Sequence, residues 1–340
     1  MKNKKVIVIA EAGVNHNGDI ELAKQLIEVA ADAGADYVKF QTYKTESLVT
    51  LEAEQATYQK LNTGSEETQF EMLKRLELKY NDHYLLKSHA EKNGIKFLST
   101  AFDDESIEFL YKLGIDFFKI PSGEITNYFY LRNIAKKGLP VVLSTGMSNM
   151  QEINDAVKVL YEFGLKKEDL TILHCNSQYP SPIDDVNLNA MLSIQKEFDV
   201  AVGYSDHTAG LEVSIAAVAL GATVIEKHFT LDRNLPGPDH KASLEPGELK
   251  RYVQQIRITE RMMGNGVKEA SESEKVNIKV GRKSLVAQTN LKMGHILNLN
   301  DFSVKRPGDG ISPAKVESLI GKKLIREIQK DQKIIESDLE

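Results

Sequence analysis

From residue 6 to residue 265 the chain repeats one unit, a short apolar run followed by a stretch of helical periodicity. The runs are Val6–Ala12, Tyr37–Thr42, Ile95–Phe102, Phe117–Ser122, Val141–Gly146, Leu170–Ser177, Val200–Ser205 and Thr223–Phe229. Between them the apolar residues recur at i, i+3, i+4 and i+7, as in the stretch from Ile20 to Ala31, which is the spacing of an amphipathic helix. Gly34, Gly94, Gly114, Gly138, Gly164 and Gly221 each stand shortly before the next run, where a helix ends most easily with a residue at positive φ. Alternating β and α units imply a parallel sheet, and strands this continuously apolar are covered on both faces. Eight such units predict a closed α/β barrel, the (β/α)8 or TIM barrel, over residues 1–265.

Such a barrel carries its chemistry at the C-terminal ends of its strands. Read in turn, those ends are polar: Glu11, then Asn15-His16-Asn17; Lys39 and Gln41; Ser99-Thr100; Lys119 to Glu124; Ser144-Thr145; His174 to Tyr179; Ser205 and His207; Glu226 and His228. On a strand, side chains repeat with period two, so Ser205 and His207 share one face, and so do Glu226 and His228. A strand, a helix and a second parallel strand bring His207 and His228 side by side. Two imidazoles there, with positions left for water and substrate, form an open divalent-metal site; the alternative is two unrelated hydrogen-bonded histidines. Lys39 and Lys119 lie inside apolar strands, lose solvation and need anionic partners. Those partners are either a bound phosphate and carboxylate or a barrel carboxylate such as Glu11 or Glu226. Glu11 and Glu124 are candidates for acid–base work beside a metal. Asp239 follows Pro238 in a stiff loop, where it either meets a ligand's hydroxyls or caps a helix.

The remaining chain is different in kind. After a helix from Pro246 to Met263, residues 266–282 are charged and contain Ser and Gly, and read as a linker. Residues 283–340 carry short extended pieces at Leu285–Gln288, Ile296–Asn298 and Phe302–Arg306, with glycine turns between, and suggest a small β-rich domain that docks on something larger. A net charge of −6 offers no footprint for nucleic acid, and no apolar stretch is long enough to span a membrane. The basic start, Met1 to Lys5, leads into an apolar run that reaches Glu11 at once, too short for a signal peptide. The single cysteine, Cys175, permits no intrachain disulfide. The expected location is the cytoplasm.

In this order the motifs resemble the sialic acid synthase family over the whole length of the chain. They are Ala10-Glu-Ala-Gly-Val-Asn-His-Asn-Gly18, Val38-Lys-Phe-Gln-Thr42, Phe118-Lys-Ile-Pro-Ser-Gly-Glu124, Leu143-Ser-Thr-Gly-Met147, Gly203-Tyr-Ser-Asp-His207, Ile225-Glu-Lys-His-Phe-Thr230, Gly237-Pro-Asp239 and Lys305-Arg-Pro-Gly308. The resemblance implies a barrel joined to an antifreeze-like (SAF, β-clip) domain. It implies condensation of phosphoenolpyruvate, an open-chain N-acetylmannosamine-type sugar and water to N-acetylneuraminate and phosphate by C–O cleavage. The alternative within the family is N,N'-diacetyllegionaminate from 2,4-diacetamido-2,4,6-trideoxymannose, towards which the loop from Gly237 to Pro246 leans. A more distant alternative is a metal-dependent pyruvate aldolase, which has no use for Lys119 or for residues 284–340.

By the same resemblance His207 and His228 bind Mn2+ or Mg2+. Lys39, Thr100, Lys119, Ser122 and Ser205 hold phosphoenolpyruvate. Glu11, Gln41, Tyr179, Glu124 and Asp239 face the sugar, with Glu124 the leading acid–base group. Members of the family are domain-swapped homodimers, which implies that Arg306 reaches the sugar's N-acyl group from the partner chain. One position departs from the pattern: where some members place an asparagine on the phosphate, this chain has Ser177, preceded by Asn176.

Overall fold

The computed structural model describes residues 5–56, 59–60, 62 and 67–340, and the basic start, residues 1–4, lies outside them. Eight parallel strands occur where the apolar runs predict them: β1 (Ile7–Gly13), β2 (Tyr37–Thr42), β3 (Lys96–Ala101), β4 (Phe118–Ile120), β5 (Val141–Ser144), β6 (Leu170–Cys175), β7 (Ala201–Asp206) and β8 (Val224–His228). They are hydrogen-bonded in the order β3-β2-β1-β8-β7-β6-β5-β4, and β3 adjoins β4 to complete the circle. This is the TIM barrel. Each strand is followed by helix, and the barrel core fills with buried aliphatic side chains such as Val8, Ile9, Val38, Leu98, Ile120, Leu143, Ile172, Val202 and Ile225.

Register decides what lies beside what. Glu11 on β1 stands opposite Lys39 on β2 and opposite His228 on β8. Ser205 on β7 stands opposite Glu226 on β8 and opposite Cys175 on β6. The β7–β8 pairing permits close contact because residue 203 is glycine: a Cβ there would lie 2.1 Å from the Val224 carbonyl oxygen. A bulge between Glu11 and Gly13 ends β1, with Gly13 at φ 52°. A Cβ on Gly13 would meet Glu11 Oε1, His228 Cε1 and Gln41 Nε2 within 3.5 Å, so these three side chains converge in front of it.

Behind the sheet, Asp206 and Lys227 are neighbours across β7 and β8 and form a fully buried ion pair at 3.1 Å. Asp206 also accepts from the Thr208 backbone N–H at 2.9 Å and from Ser214 Oγ at 2.7 Å, and Tyr252 Oη donates to Ser214 Oγ at 2.7 Å. Ser214 sits on the helix Glu212–Ala219 and Tyr252 on the helix Pro246–Met263. The pair thus ties two strands and two helices together directly behind His207 and His228.

The chain divides into two compact units, residues 1–265 and 266–340. In the second, residues 266–282 hold the helix Glu272–Gly281, formed behind a Ser271–Glu274 capping box. Two strands, Ser284–Ala287 and Phe302–Lys305, pair antiparallel over a small core of Ala287, Leu291, Leu297, Leu324, Ile328 and Ile334. The extended piece at Ile296 makes only an isolated bridge to Lys323. Among the described residues no helix is long and apolar enough to cross a membrane.

Candidate active site

A cavity of about 500 Å3 opens at the C-terminal ends of the barrel strands. Glu11, Lys39, Gln41, Thr100, Lys119, Ser122, Glu124, Ser177, Tyr179, Ser205, His207, His228 and Asp239 all line it. Asn176 does not: its Oδ1 accepts from the Gln178 backbone N–H at 2.8 Å, while the Ser177 side chain lies on the cavity wall. Arg306 belongs to the C-terminal unit, where its exposed side chain donates from Nε to the Gly281 carbonyl at 3.1 Å.

The floor is an alternating array of charge. Lys39 Nζ lies 2.8 Å from Glu11 Oε2 and 3.5 Å from Glu226 Oε2, and Lys119 Nζ lies 3.2 Å from Glu226 Oε1. Ser205 Oγ donates to Glu226 Oε1 at 3.1 Å, and Lys39 Nζ donates to Thr100 Oγ1 at 3.1 Å. All of these side chains are buried. The two carboxylates are not equivalent. Burial works against the charged form of each, but Lys119 and Lys39 bracket Glu226 and hold it down to about 2. Among the described residues Glu11 forms an ion pair with Lys39 alone, and burial pushes its carboxyl up to about 7. Glu226 therefore stays ionised, and Glu11 is poised to gain or lose a proton near neutral pH. Sequence reasoning placed Glu226 at a strand end on the face of His228 and offered it as a partner for a lysine, without giving it a role in the reaction.

The histidines lie with ring centroids 5.6 Å apart. His207 Nδ1 donates to the Asn176 carbonyl at 2.5 Å, which leaves Nε2 as the acceptor, 3.0 Å from Tyr179 Oη. Burial pushes His207 down to about 4, and burial together with His207 pushes His228 well below the usual imidazole range. Both rings are therefore neutral at pH 7. His228 Nδ1 is buried without a hydrogen-bond partner among the described residues. A neutral imidazole held through its other nitrogen by a backbone carbonyl, beside an unpartnered imidazole nitrogen, is the donor chemistry of an open metal site. Among the described residues no group of three His, Cys, Asp or Glu side chains forms a protein-only cage. The pair fits a divalent ion that takes its remaining ligands from water and substrate.

The far wall is hydroxyl-rich. Ser122 Oγ accepts from the Gly146 backbone N–H at 2.9 Å, and a Cβ on Gly146 would lie 2.2 Å from Ser177 Oγ and 2.9 Å from Ser122 Oγ. Ser144 Oγ lines the same wall, buried and without a partner among the described residues. Sequence reasoning noted Ser144 as a strand end without giving it a ligand. Cys175 is buried 3.3 Å from Ser122 Oγ. Glu124 is half-buried, its carboxyl raised by burial and partly held by the Asn127 side-chain amide, which donates to it at 2.7 Å.

Asp239 caps nothing through its side chain, although it precedes the short helix His240–Ala242. Its carboxyl faces the cavity, and burial alone pushes it up to about 6. The loop is held by its other groups: Ser243 Oγ donates to the Asp239 carbonyl at 2.7 Å, and His240 bridges Thr230 Oγ1 at 2.7 Å and Asn17 Oδ1 at 3.2 Å.

Comparison with known proteins places this geometry. Residues 26–268 match the NeuB family and residues 282–340 match the SAF domain. The N,N'-diacetyllegionaminic acid synthase of Campylobacter jejuni subsp. jejuni serotype O:2 is 52% identical, over 98% of this chain and 100% of that protein. The enzyme of the same name from Legionella pneumophila is 49% identical, over 93% of this chain and 90% of that protein. The crystal structure of N-acetylneuraminic acid (sialic acid) synthetase from Leptospira borgpetersenii serovar Hardjo-bovis superposes with a TM-score of 0.71 at 36% identity, covering 81% of this chain and 91% of that one. The chain belongs to the NeuB family.

Proposed function

We propose that this chain condenses phosphoenolpyruvate with an open-chain acylated amino sugar and water, releasing phosphate. The sugar is 2,4-diacetamido-2,4,6-trideoxymannose and the product N,N'-diacetyllegionaminate. One observation carries the reading. A single cavity brings together two buried lysines, an ionised and a protonatable carboxylate, and two neutral imidazoles. The chain that builds it is about half identical to two proteins named for that product. Sequence reasoning put N-acetylneuraminate first and legionaminate second; the two relatives support the reverse order. N-acetylmannosamine remains the second reading, favoured by the likeness to the Leptospira synthetase.

Lys39 and Lys119, with Thr100, Ser122, Ser177 and Ser205, bind the phosphate and carboxylate of phosphoenolpyruvate. Its charges compete for the lysines that Glu226 and Glu11 hold in the free enzyme. His207 and His228 would hold a divalent metal, Mn2+ or Mg2+, which when bound would supply Lewis acidity towards the sugar's aldehyde oxygen. Gln41, Tyr179 and Asp239 orient the sugar chain so that its aldehyde carbon faces the enol carbon. A carbon–carbon bond then forms between them, and the aldehyde oxygen takes up a proton, for which Glu11 is the buried source. Water adds to the other enol carbon, with Glu124 accepting one of its protons; the new hydroxyl then becomes the ketone as the carbon–oxygen bond to phosphate breaks, and its remaining proton leaves with the phosphate, which keeps the bridging oxygen. Arg306 acts on the N-acyl group of the partner's substrate in a domain-swapped homodimer. The setting is the cytoplasm.

The test is phosphate release from phosphoenolpyruvate with Mn2+, comparing N-acetylmannosamine with 2,4-diacetamido-2,4,6-trideoxymannose. A higher kcat/KM for the trideoxy sugar is expected. A large preference for N-acetylmannosamine exchanges the two readings, and no release with either rejects both.

A further inference from the structure

One wall of the cavity is not explained by the reacting groups. Val14, Leu48, Met72, Leu73, Leu76 and Phe102 all line it. The same six side chains, with Tyr43, form a hydrophobic cluster separate from the barrel core. An apolar cluster gathered beside a charged catalytic floor exposes its face to the ligand and stabilises whatever apolar surface is laid on it.

The cavity has two sides. Lys119, Ser122, Ser144 and Ser177 come from β4, β5, β6 and the turns after them, and their cation and hydroxyls suit a phosphate. Glu11, Gln41 and Asp239 come from β1, β2 and the loop after β8, and the apolar wall lies on this second side. Tyr43, a member of the cluster, is close enough to Asp239 for that carboxylate to help raise its phenol, after burial and Glu77. With the phosphate on the first side and the aldehyde carbon at the histidines, the distal end of the sugar is left to the second side.

The wall is built rigidly. Met72, Leu73 and Leu76 sit on the helix Gln69–Leu76, which starts from a Thr68–Glu71 capping box. Tyr43 Oη donates to the Leu73 carbonyl at 3.2 Å, and Glu77 accepts from Thr45 N–H at 3.1 Å and Thr45 Oγ1 at 2.9 Å. A Cβ on Gly18 would lie 2.5 Å from the Arg75 carbonyl oxygen, so the helix also packs directly on the loop after β1. A rigid hydrocarbon surface offers a terminal hydroxyl no partner, whereas it welcomes a methyl group. Gln69 also reaches the cavity at this side, and its carboxamide can pair with an acetamido group beside that methyl.

We propose that this wall is the subsite for the methyl terminus of a 6-deoxy sugar, and that Leu48 and Leu73 set the preference for deoxy over hydroxy substrates. The inference rests on the condensation proposed above. The test holds the rest of the sugar constant, comparing 2,4-diacetamido-2,4,6-trideoxymannose with its 6-hydroxy counterpart, 2,4-diacetamido-2,4-dideoxymannose, by phosphate release from phosphoenolpyruvate with Mn2+. A hydrophobic pocket discriminates at this level by roughly 10-fold to 200-fold in kcat/KM, and the wild type should fall in that range in favour of the deoxy sugar. Leu73→Gln and Leu48→Gln, at half-buried positions that tolerate a polar side chain, should each cut the ratio by about tenfold, chiefly by improving the hydroxy sugar. Circular dichroism identifies the variant that is folded. A wild-type ratio near one, or a ratio unchanged in a folded variant, overturns the subsite. Absence of sugar-dependent phosphate release by the wild type overturns the condensation itself, and the subsite with it.

Discussion

Replacing Lys227 by methionine isolates one buried charge. Asp206 and Lys227 have side-chain exposures of 0% and 1%, so neither partner reaches water when the other is removed. Breaking a buried pair by removing one member costs about 3–5 kcal/mol, because the remaining charge is left uncompensated. Asp206 would keep its bonds from the Thr208 N–H, Thr208 Oγ1 and Ser214 Oγ, which places Lys227→Met near the lower end, about 3 kcal/mol. In a domain of this size that lowers Tm by roughly 6–12 °C. Asp206→Asn in the same chain keeps an acceptor for Thr208 and removes the stranded charge. The double variant should therefore recover about 2 kcal/mol relative to Lys227→Met, so that the two substitutions are not additive, as expected for residues in one network. Urea denaturation followed by far-UV circular dichroism measures each corner of the cycle. A loss below about 1 kcal/mol for Lys227→Met, or strict additivity of the two substitutions, would refute the claim that this pair holds β7 to β8.

Other outcomes follow from the same geometry. Gly146→Ala places a methyl 2.2 Å from Ser177 Oγ and should raise KM for phosphoenolpyruvate by at least about tenfold with little change in KM for sugar; equal changes in both would separate Gly146 from the phosphate. His16 is buried and neutral, pushed down to about 3 by burial and by His83 and His240. The unfolded chain takes up that proton first, so the contribution of His16 is intact above pH ~6.5 and is lost as pH falls towards 3, at up to ~1.4 kcal/mol per pH unit. Urea titrations between pH 7 and 4 should show a shallower acid loss for His16→Gln, and an unchanged slope would contradict its buried neutrality. Deleting residues 283–340 should raise the sugar KM and leave barrel circular dichroism unchanged, and Arg306→Ala in the full chain should reproduce the KM effect; an unaffected KM in both removes Arg306 from the site.

The barrel was legible because its signals are local. Strand β2 and the helix Pro246–Met263 match the sequence reading end to end, and β1 is displaced by one residue. Gly34 and Gly114 cap their helices at φ 80° and 79°, as their positions before strands imply. The strand–helix–strand pattern implied that His207 and His228 lie side by side, and their ring centroids are 5.6 Å apart. What could not be read was register. That Glu11 faces both Lys39 and His228, and that Glu226 sits between two lysines, depends on how strands align sideways, which no single strand encodes. The lysines therefore meet carboxylates in the free protein, the pairing that sequence reasoning held open beside an anion site. The apolar wall was equally hidden, because its residues come from the β1 turn, the β2–β3 connection and the end of β3, and only folding joins them. Asn176 and Ser177 show the same limit at one residue's resolution: the turn after β6 decides which side chain enters the cavity.

The central claim is that carbon–oxygen, and not phosphorus–oxygen, cleavage accompanies carbon–carbon bond formation at this floor. Phosphoenolpyruvate labelled with 18O at the bridging oxygen, incubated with enzyme, Mn2+ and 2,4-diacetamido-2,4,6-trideoxymannose, tests it in one mass-spectrometric measurement. The account predicts a nine-carbon keto acid free of label and phosphate that carries it. Label retained in the product, or release of phosphate without a nine-carbon product, would contradict the account.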